Sequence, residues 1–211
     1  GSYESFNDPE EDISTEITLL TGIENKMVDG KFIDWNEVDA LFQGVDIIIA
    51  HNANFDRAFI DRFSSISPSK VWACSINDID WLERGFTSSK QELLCYWHGF
   101  YFDAHRAMND VDALIHLLTF DTGLERPLLE LIKNSNKSEY VIFAEHFKYD
   151  PVKKDILKGN KYRWNPNDKL WFKKVNPDEL EHEKDWLAAT IYNQVFKGRV
   201  EEIIPNNKYK L

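Results

Sequence analysis

The sequence is poor in cysteine, in long apolar runs and, over its first two thirds, in positive charge. Its two cysteines, Cys74 and Cys95, are too few for a disulfide framework and suit free thiols in a reducing compartment. Cys95 and His98 have a zinc-like local spacing, but no second Cys/His pair completes a four-ligand site. No apolar run approaches the roughly 20 residues that span a bilayer, and no signal peptide opens the chain. Both absences point to a cytoplasmic protein with no membrane partner. The chain opens on Gly1-Ser2 in place of Met, which reads as a tag-cleavage scar, so the native start is expected to lie elsewhere. No internal repeat is found.

What is present suffices for a packed core: 43% of the residues are hydrophobic and 14% aromatic, which excludes a disordered chain. A net charge of −11 argues against a polynucleotide partner until it is divided by region. Residues 1–135 hold 10 Lys and Arg against 24 Asp and Glu, a net −14. Residues 136–211 hold 15 against 12, and within them residues 147–175 hold 9 against 3, a net +6. An acidic body carries a basic module.

Tyr3 to Thr21 reads as the end of a strand and a loop, with its turn at Pro9 and the acidic cluster Glu10-Glu11-Asp12. Asp34 with Glu37 forms a capping box for a helix whose Trp35, Val38, Leu41 and Phe42 share one face. The β-branched run Val45–Ala50 predicts a strand buried on both sides, followed by a helix capped by Asn54 and running to Phe63. Val71–Cys74 predicts a second strand, and Ser75 caps a helix over Ile76–Leu82. Helices are predicted over 90–97 and 107–120, the latter with Val111, Leu114, Ile115 and Leu118 inward. This α/β order ends at a polar linker, Lys133–Ser138. Beyond it the pattern predicts a strand over Tyr140–Ala144, a helix opened by Asp150-Pro151, a hairpin around Asn165–Asp168, and a long helix from Asn176-Pro177 to Phe196. Two domains are expected, 1–132 and 138–211.

Two segments carry chemistry. Ile49-Ala50-His51-Asn52-Ala53-Asn54-Phe55-Asp56 sets Asp56 in the first turn of a helix directly after a buried strand, where α/β folds place ligands. His105-Arg106-Ala107-Met108-Asn109-Asp110 opens a second helix, so an imidazole and a carboxylate can face one cleft. Taken singly, Asp56 is an ordinary helix-start carboxylate and His105 a solvated loop histidine. Hydrolysis of a phosphodiester needs an activated water, a stabilised phosphorane and a stabilised leaving alkoxide. Two divalent ions about 4 Å apart meet all three needs. Carboxylates are the hard ligands that Mg²⁺ or Mn²⁺ takes, and a nearby His can accept the proton of the water.

In this order and spacing the two segments resemble the DEDDh family of 3′–5′ exonucleases, which includes proofreading exonucleases and RNase T. The second family motif, His-Asn-Ala-x-Phe-Asp, is matched by His51, Asn52, Ala53, Phe55 and Asp56. The third, His-x-x-x-x-Asp, is matched by His105 and Asp110. The resemblance covers residues 3–122. It implies an RNase H-like α/β fold, a mixed sheet flanked by helices with its first strands missing, plus a small α+β C-terminal domain. It further implies Asp56 and Asp110 as ligands of Mg²⁺ or Mn²⁺ (two per complete site) and His105 as general base. Thr21, Gly22, Ile23, His51, Asn52 and Phe55 would line the substrate, the 3′ end of single-stranded DNA or RNA.

The family's first motif, an Asp-x-Glu on the first sheet strand, is expected upstream of Tyr3, with nothing in the sequence to replace it. Asp34 and Glu37 have the wrong spacing; Asp80 and Glu83 fall in the wrong part of the order. The 211-residue chain is therefore expected to be inactive itself, with an unpaired sheet edge that could form a homo-oligomer. The alternative is a catalytically inactive nucleic-acid-binding or scaffold protein on the same fold. In the basic module, Lys153, Lys154, Lys158, Arg163 and Trp164 are candidate nucleic-acid contacts, since cations neutralise phosphates and exposed rings stack on bases. The run Lys158–Trp164 also looks like small Lys/Gly-Tyr-Arg-Trp modules that follow some bacterial exonuclease domains. Equally, these aromatics could be the core of a small domain.

Overall fold

The computed structural model describes residues 1–121, 123 and 125–210. Thr122 and Leu211, which end the expected resemblance and the expected second domain, lie outside them. The chain divides into two compact units, residues 1–136 with 209–211, and residues 137–208. Tyr209 thus belongs to the first unit, not to the C-terminal domain. Its hydroxyl donates to Asp78 Oδ2 at 2.9 Å, and its ring packs with Ile48 and Trp72.

In the first unit, β1 (Ile47–Ala50) and β2 (Val71–Cys74) run parallel, joined through α4 (Ala53–Ile60), with Ile48 opposite Trp72 and Ala50 opposite Cys74. Alternation gives the strands two apolar faces. On one side Ile47, Ile49 and Ala73 meet Leu94 and Cys95 of α5 (Gln91–Trp97), Leu114, Leu117 and Leu118 of α6 (Ala107–Thr119), and Leu131 of α7 (Pro127–Ser135). On the other side Ile48, Trp72 and Cys74 pack with Ala53 and Ile60 of α4 and with Phe42 of α3 (Trp35–Gln43). The unit is α/β, with helices on both faces of a short parallel pair.

One edge of β1 has no strand beside it among the described residues. The amide of Ser75 donates to the carbonyl of Ala50. Ala50 and Ile48 therefore face β2, and Ile47 and Ile49 turn their backbone groups to the other edge.

Several sequence expectations need correction. Tyr3–Thr21 holds no strand among the described residues. It ends in helix α1 (Thr15–Thr21), capped by Ser14, which accepts from the amide of Ile17, and α2 (Asn25–Val28) follows. No helix forms over 76–82. Asp78 draws the chain back instead, accepting from the amide of Cys74 at 2.8 Å, and the Trp81 indole donates to the Ser75 carbonyl. In α6 the inward face is Ala113, Leu114, Leu117 and Leu118, while Val111 and Ile115 are exposed, because α6 meets its neighbours one position further round. Asn52, in the left-handed region, precedes α4 in place of Asn54. Cys95 is buried, and His98 stacks on Phe86 with Nδ1 2.6 Å from the Leu94 carbonyl.

The second unit is α+β. Its antiparallel sheet has the order β4 (Arg163–Asn165), β5 (Leu170–Val175), β3 (Glu139–Ala144), β6 (Arg199–Ile203). Helices α8 (Pro151–Gly159) and α9 (Leu180–Thr190) bring Leu157 and Leu187 onto Ile142, Ala144, Trp171 and Val175. Asp150 caps α8 by accepting from the amide of Val152. Helix α9 stops at Thr190, short of Phe196, and the chain turns through Gly198 into β6, a strand the alternation did not suggest. A Cβ on Gly198 would collide with the carbonyl of Phe143, so only glycine allows this close return.

Candidate functional site

Helix α4 starts at the carboxyl end of β1, so Asp56 stands half-buried in its first turn. The adjoining Arg57 is fully buried and fixes the helix. Its Nε meets Asp61 Oδ2 at 3.1 Å, Nη2 donates to the Pro68 carbonyl, and the guanidinium lies over the Trp72 ring. Phe55, the residue before Asp56, is 75% exposed and turns its ring to solvent. At the end of β1, His51 Nδ1 lies 2.7 Å from Ser75 Oγ, and burial pushes its imidazole below the ordinary histidine range, so it is neutral at pH 7.

The second segment folds tightly on itself. His105 takes a positive φ of 68°, and its backbone N–H donates to Asp110 Oδ1 at 3.3 Å. Its exposed ring faces Glu92 of α5, with Nε2 3.6 Å from Oε1. Gly22, at a φ of 67°, lies against this segment: a Cβ there would stand 3.2 Å from Arg106 Nη2. Thr21-Gly22-Ile23 is thereby brought beside the loop that carries His105 and leads into Asp110's helix. Thr21 Oγ1 accepts from the amide of Ile23 and sets the turn. Asn52 is exposed at the start of α4.

Desolvation pushes the Asp56 carboxyl above the ordinary carboxylate range. It does the same to Asp110, opposed by the His105 amide and imidazole and reinforced by Glu92. The folded chain therefore holds these protons more tightly than the unfolded chain. Stability falls as pH rises above about 3.8 through the raised values, and at neutral pH both charges sit where a cation or a neutral isostere would relieve them. Glu92 was not suggested by the sequence; it comes to notice only by its placement beside His105. Burial, with Asp110 and Glu92 nearby, lifts the Cys95 thiol to about 12, which keeps it protonated.

No family model, curated protein or solved structure matches the chain. What the site can do is therefore read from its own residues. Hard oxygen donors are present at Asp56 and Asp110, and at both the effect of burial outweighs the interactions that oppose it. Among the described residues, however, no three His, Cys, Asp or Glu side chains form a group able to hold a metal ion. Asp8-Pro9-Glu10 has Asp-x-Glu spacing, but it lies in a loop. The Asp8 carboxylate accepts from the amides of Glu10 and Gly30, which lowers its pKa.

The C-terminal candidates separate. Lys153 Nζ donates to the Ile191 carbonyl at 2.7 Å and lies over Phe147, so it ties α8 to its own unit. Lys154 and Lys158 lie on the same helix. Trp164 stands opposite Trp171, on the helix-covered face of the sheet, while Arg163 projects from the other face.

Proposed function

We propose that the first unit contributes the metal-binding and substrate-binding side of a DEDDh-type 3′–5′ exonuclease site on an RNase H-like framework. The observation that supports this most is the pair of half-buried first-turn carboxylates, Asp56 and Asp110, each with its pKa raised by desolvation. Such carboxylates suit Mg²⁺ or Mn²⁺ as ligands. When bound, a pair of these ions activates water and offsets charge at phosphorus and at the leaving oxygen. The chain's own residues bind and orient. Phe55 offers an exposed ring to the terminal base. Neutral His51 and Asn52 supply polar contacts beside it, and Thr21-Gly22-Ile23 flanks the nucleotide. His105, exposed beside Asp110, accepts a proton from the attacking water. The free edge at Ile47 and Ile49 belongs to β1, the strand that leads into Asp56's helix, and a further strand bearing Asp-x-Glu would fit there.

The absence of a three-residue metal group among the described residues favours a second reading, a scaffold that binds a 3′ end without cutting it. A 3′-labelled oligonucleotide with Mn²⁺ distinguishes the two. The 211 residues alone are expected to release label at background rate. A chain in which the native reading frame supplies an apolar Asp-x-Glu strand before Tyr3 is expected to cut, and Asp110→Asn in that chain to lower the rate at least about a hundredfold. Full activity of residues 1–211 would contradict the need for further carboxylates. A native frame without that motif would favour the scaffold.

A further inference from the structure

The helix-free face of the second unit's sheet carries a row that its core does not use. Residues directly opposite in an antiparallel sheet share a face. The register places Arg163 opposite Phe172, Phe172 opposite Phe143, and Phe143 opposite Arg199. One line thus crosses all four strands as Arg-Phe-Phe-Arg. Core packing uses the other face, through Ile142, Ala144, Trp171 and Val175, and on this face Val141, beside the row, is buried as well. Phe172 and Phe143 are only half-buried, and Phe172 has no ring partner among the described residues. The Arg199 guanidinium lies 4.0 Å over the Phe143 ring, held also by Glu145 and Glu201. Arg163 is exposed and has no ion-pair or hydrogen-bond partner among the described residues.

A cross-strand Phe pair alone would be a sheet-stabilising contact. That does not account for an arginine at each end, nor for the unpartnered one. We propose that this face is a stacking platform for a single-stranded polynucleotide, independent of the exonuclease reading. One base would lie on the Phe172 ring and a neighbouring base on the guanidinium plane that caps Phe143, a pattern known for aromatic and Arg planes. Arg163, exposed on the same face, would contact a phosphate. Charge complementarity favours this occupant. On the strands of this face Arg163, Lys174 and Arg199 stand against Glu139 and Glu201, and both acids are engaged, Glu139 by Lys174 and Lys208, Glu201 by Arg199. The row reads rings and phosphates, so DNA and RNA should bind alike.

The test is fluorescence anisotropy of the full 211-residue chain with a labelled single strand of about 12 nucleotides. EDTA in the buffer removes any metal-dependent binding by the first unit. Phe172→Leu, which keeps an apolar side chain but loses the ring, is expected to weaken binding roughly tenfold. Phe172→Tyr should stay within about threefold, and Arg163→Gln should reduce the salt slope by about one. Matched thermal melts for Phe172→Leu and Phe172→Tyr exclude misfolding as the cause. The proposal is overturned if the wild-type chain does not bind. It is equally overturned if Phe172→Leu and Arg163→Gln bind like wild type, or if affinity follows Lys154→Gln and Lys158→Gln instead. Binding of polyglutamate in place of the oligonucleotide, unaffected by Phe172→Leu, would also overturn it.

Discussion

Glu183→Ala is expected to destabilise the second unit by about 3–5 kcal/mol, a large share of what a unit of this size can hold. Glu183 is 5% exposed and binds three partners. One carboxylate oxygen accepts from Asn160 Nδ2 at 2.8 Å and from the Tyr162 hydroxyl at 3.0 Å. The other lies 2.6 Å from Lys173 Nζ. These partners join α9 to the end of α8, to the residue before β4 and to β5, and removing the carboxylate leaves an amide, a phenol and an ammonium underserved in a small core. Burial, with Glu183 beside it, drives the Tyr162 phenol far above its ordinary pKa, so the phenol stays a donor. Hydrogen exchange of the Ile142 and Leu187 amides reads this unit separately from the other. Glu183→Gln keeps one acceptor and should lose less. A loss below about 1 kcal/mol for the alanine variant would mean that solvent replaces these bonds.

The second large effect is in the first unit. Asp61→Ala is expected to cost about 3 kcal/mol, because it leaves the buried Arg57 guanidinium without its carboxylate. Asp61 also accepts from Ser67 Oγ, so the loop that leads into β2 loosens with α4. Replacing both members by apolar residues of similar volume should recover most of the loss, because no charge is then left stranded. Urea unfolding of the single and double variants measures this. The consequence reaches the candidate site: Asp56 is the residue before Arg57, so a loosened α4 should also weaken any ion held there.

The backbone elements were legible where local chemistry decides them. The Val45–Ala50 run, the Asp34 cap, the Asp150-Pro151 helix start and the Asn165–Asp168 turn each rest on residues within a few positions. The misses have longer-range causes. Ser75 could cap a helix, but Asp78 captured the Cys74 amide first. Val111 and Ile115 match helical spacing, yet the neighbouring helices selected the adjacent stripe. Strand β6 alternates poorly, with Glu201 and Glu202 adjacent, and exists because β3 offers it an edge.

At the candidate site, motif order singled out Asp56, His105 and Asp110, and local patterning placed Asp56 and Asp110 in the first turns of their helices. Glu92 was not legible, because it enters only by facing His105 from another helix, α5. The separation of Arg163 from Trp164 follows from strand alternation once register is known. Sequence composition treats them as one basic-aromatic cluster.

Mn²⁺ titration of the 211-residue chain, read by electron paramagnetic resonance of the free ion, tests whether Asp56 and Asp110 share a site. Weak binding is expected from two carboxylates. Asp56→Asn and Asp110→Asn should each abolish the same bound fraction, while each raises the melting temperature without metal by removing a poorly solvated charge. Binding that survives either substitution, or two variants that remove different ions, would show that the carboxylates do not act together.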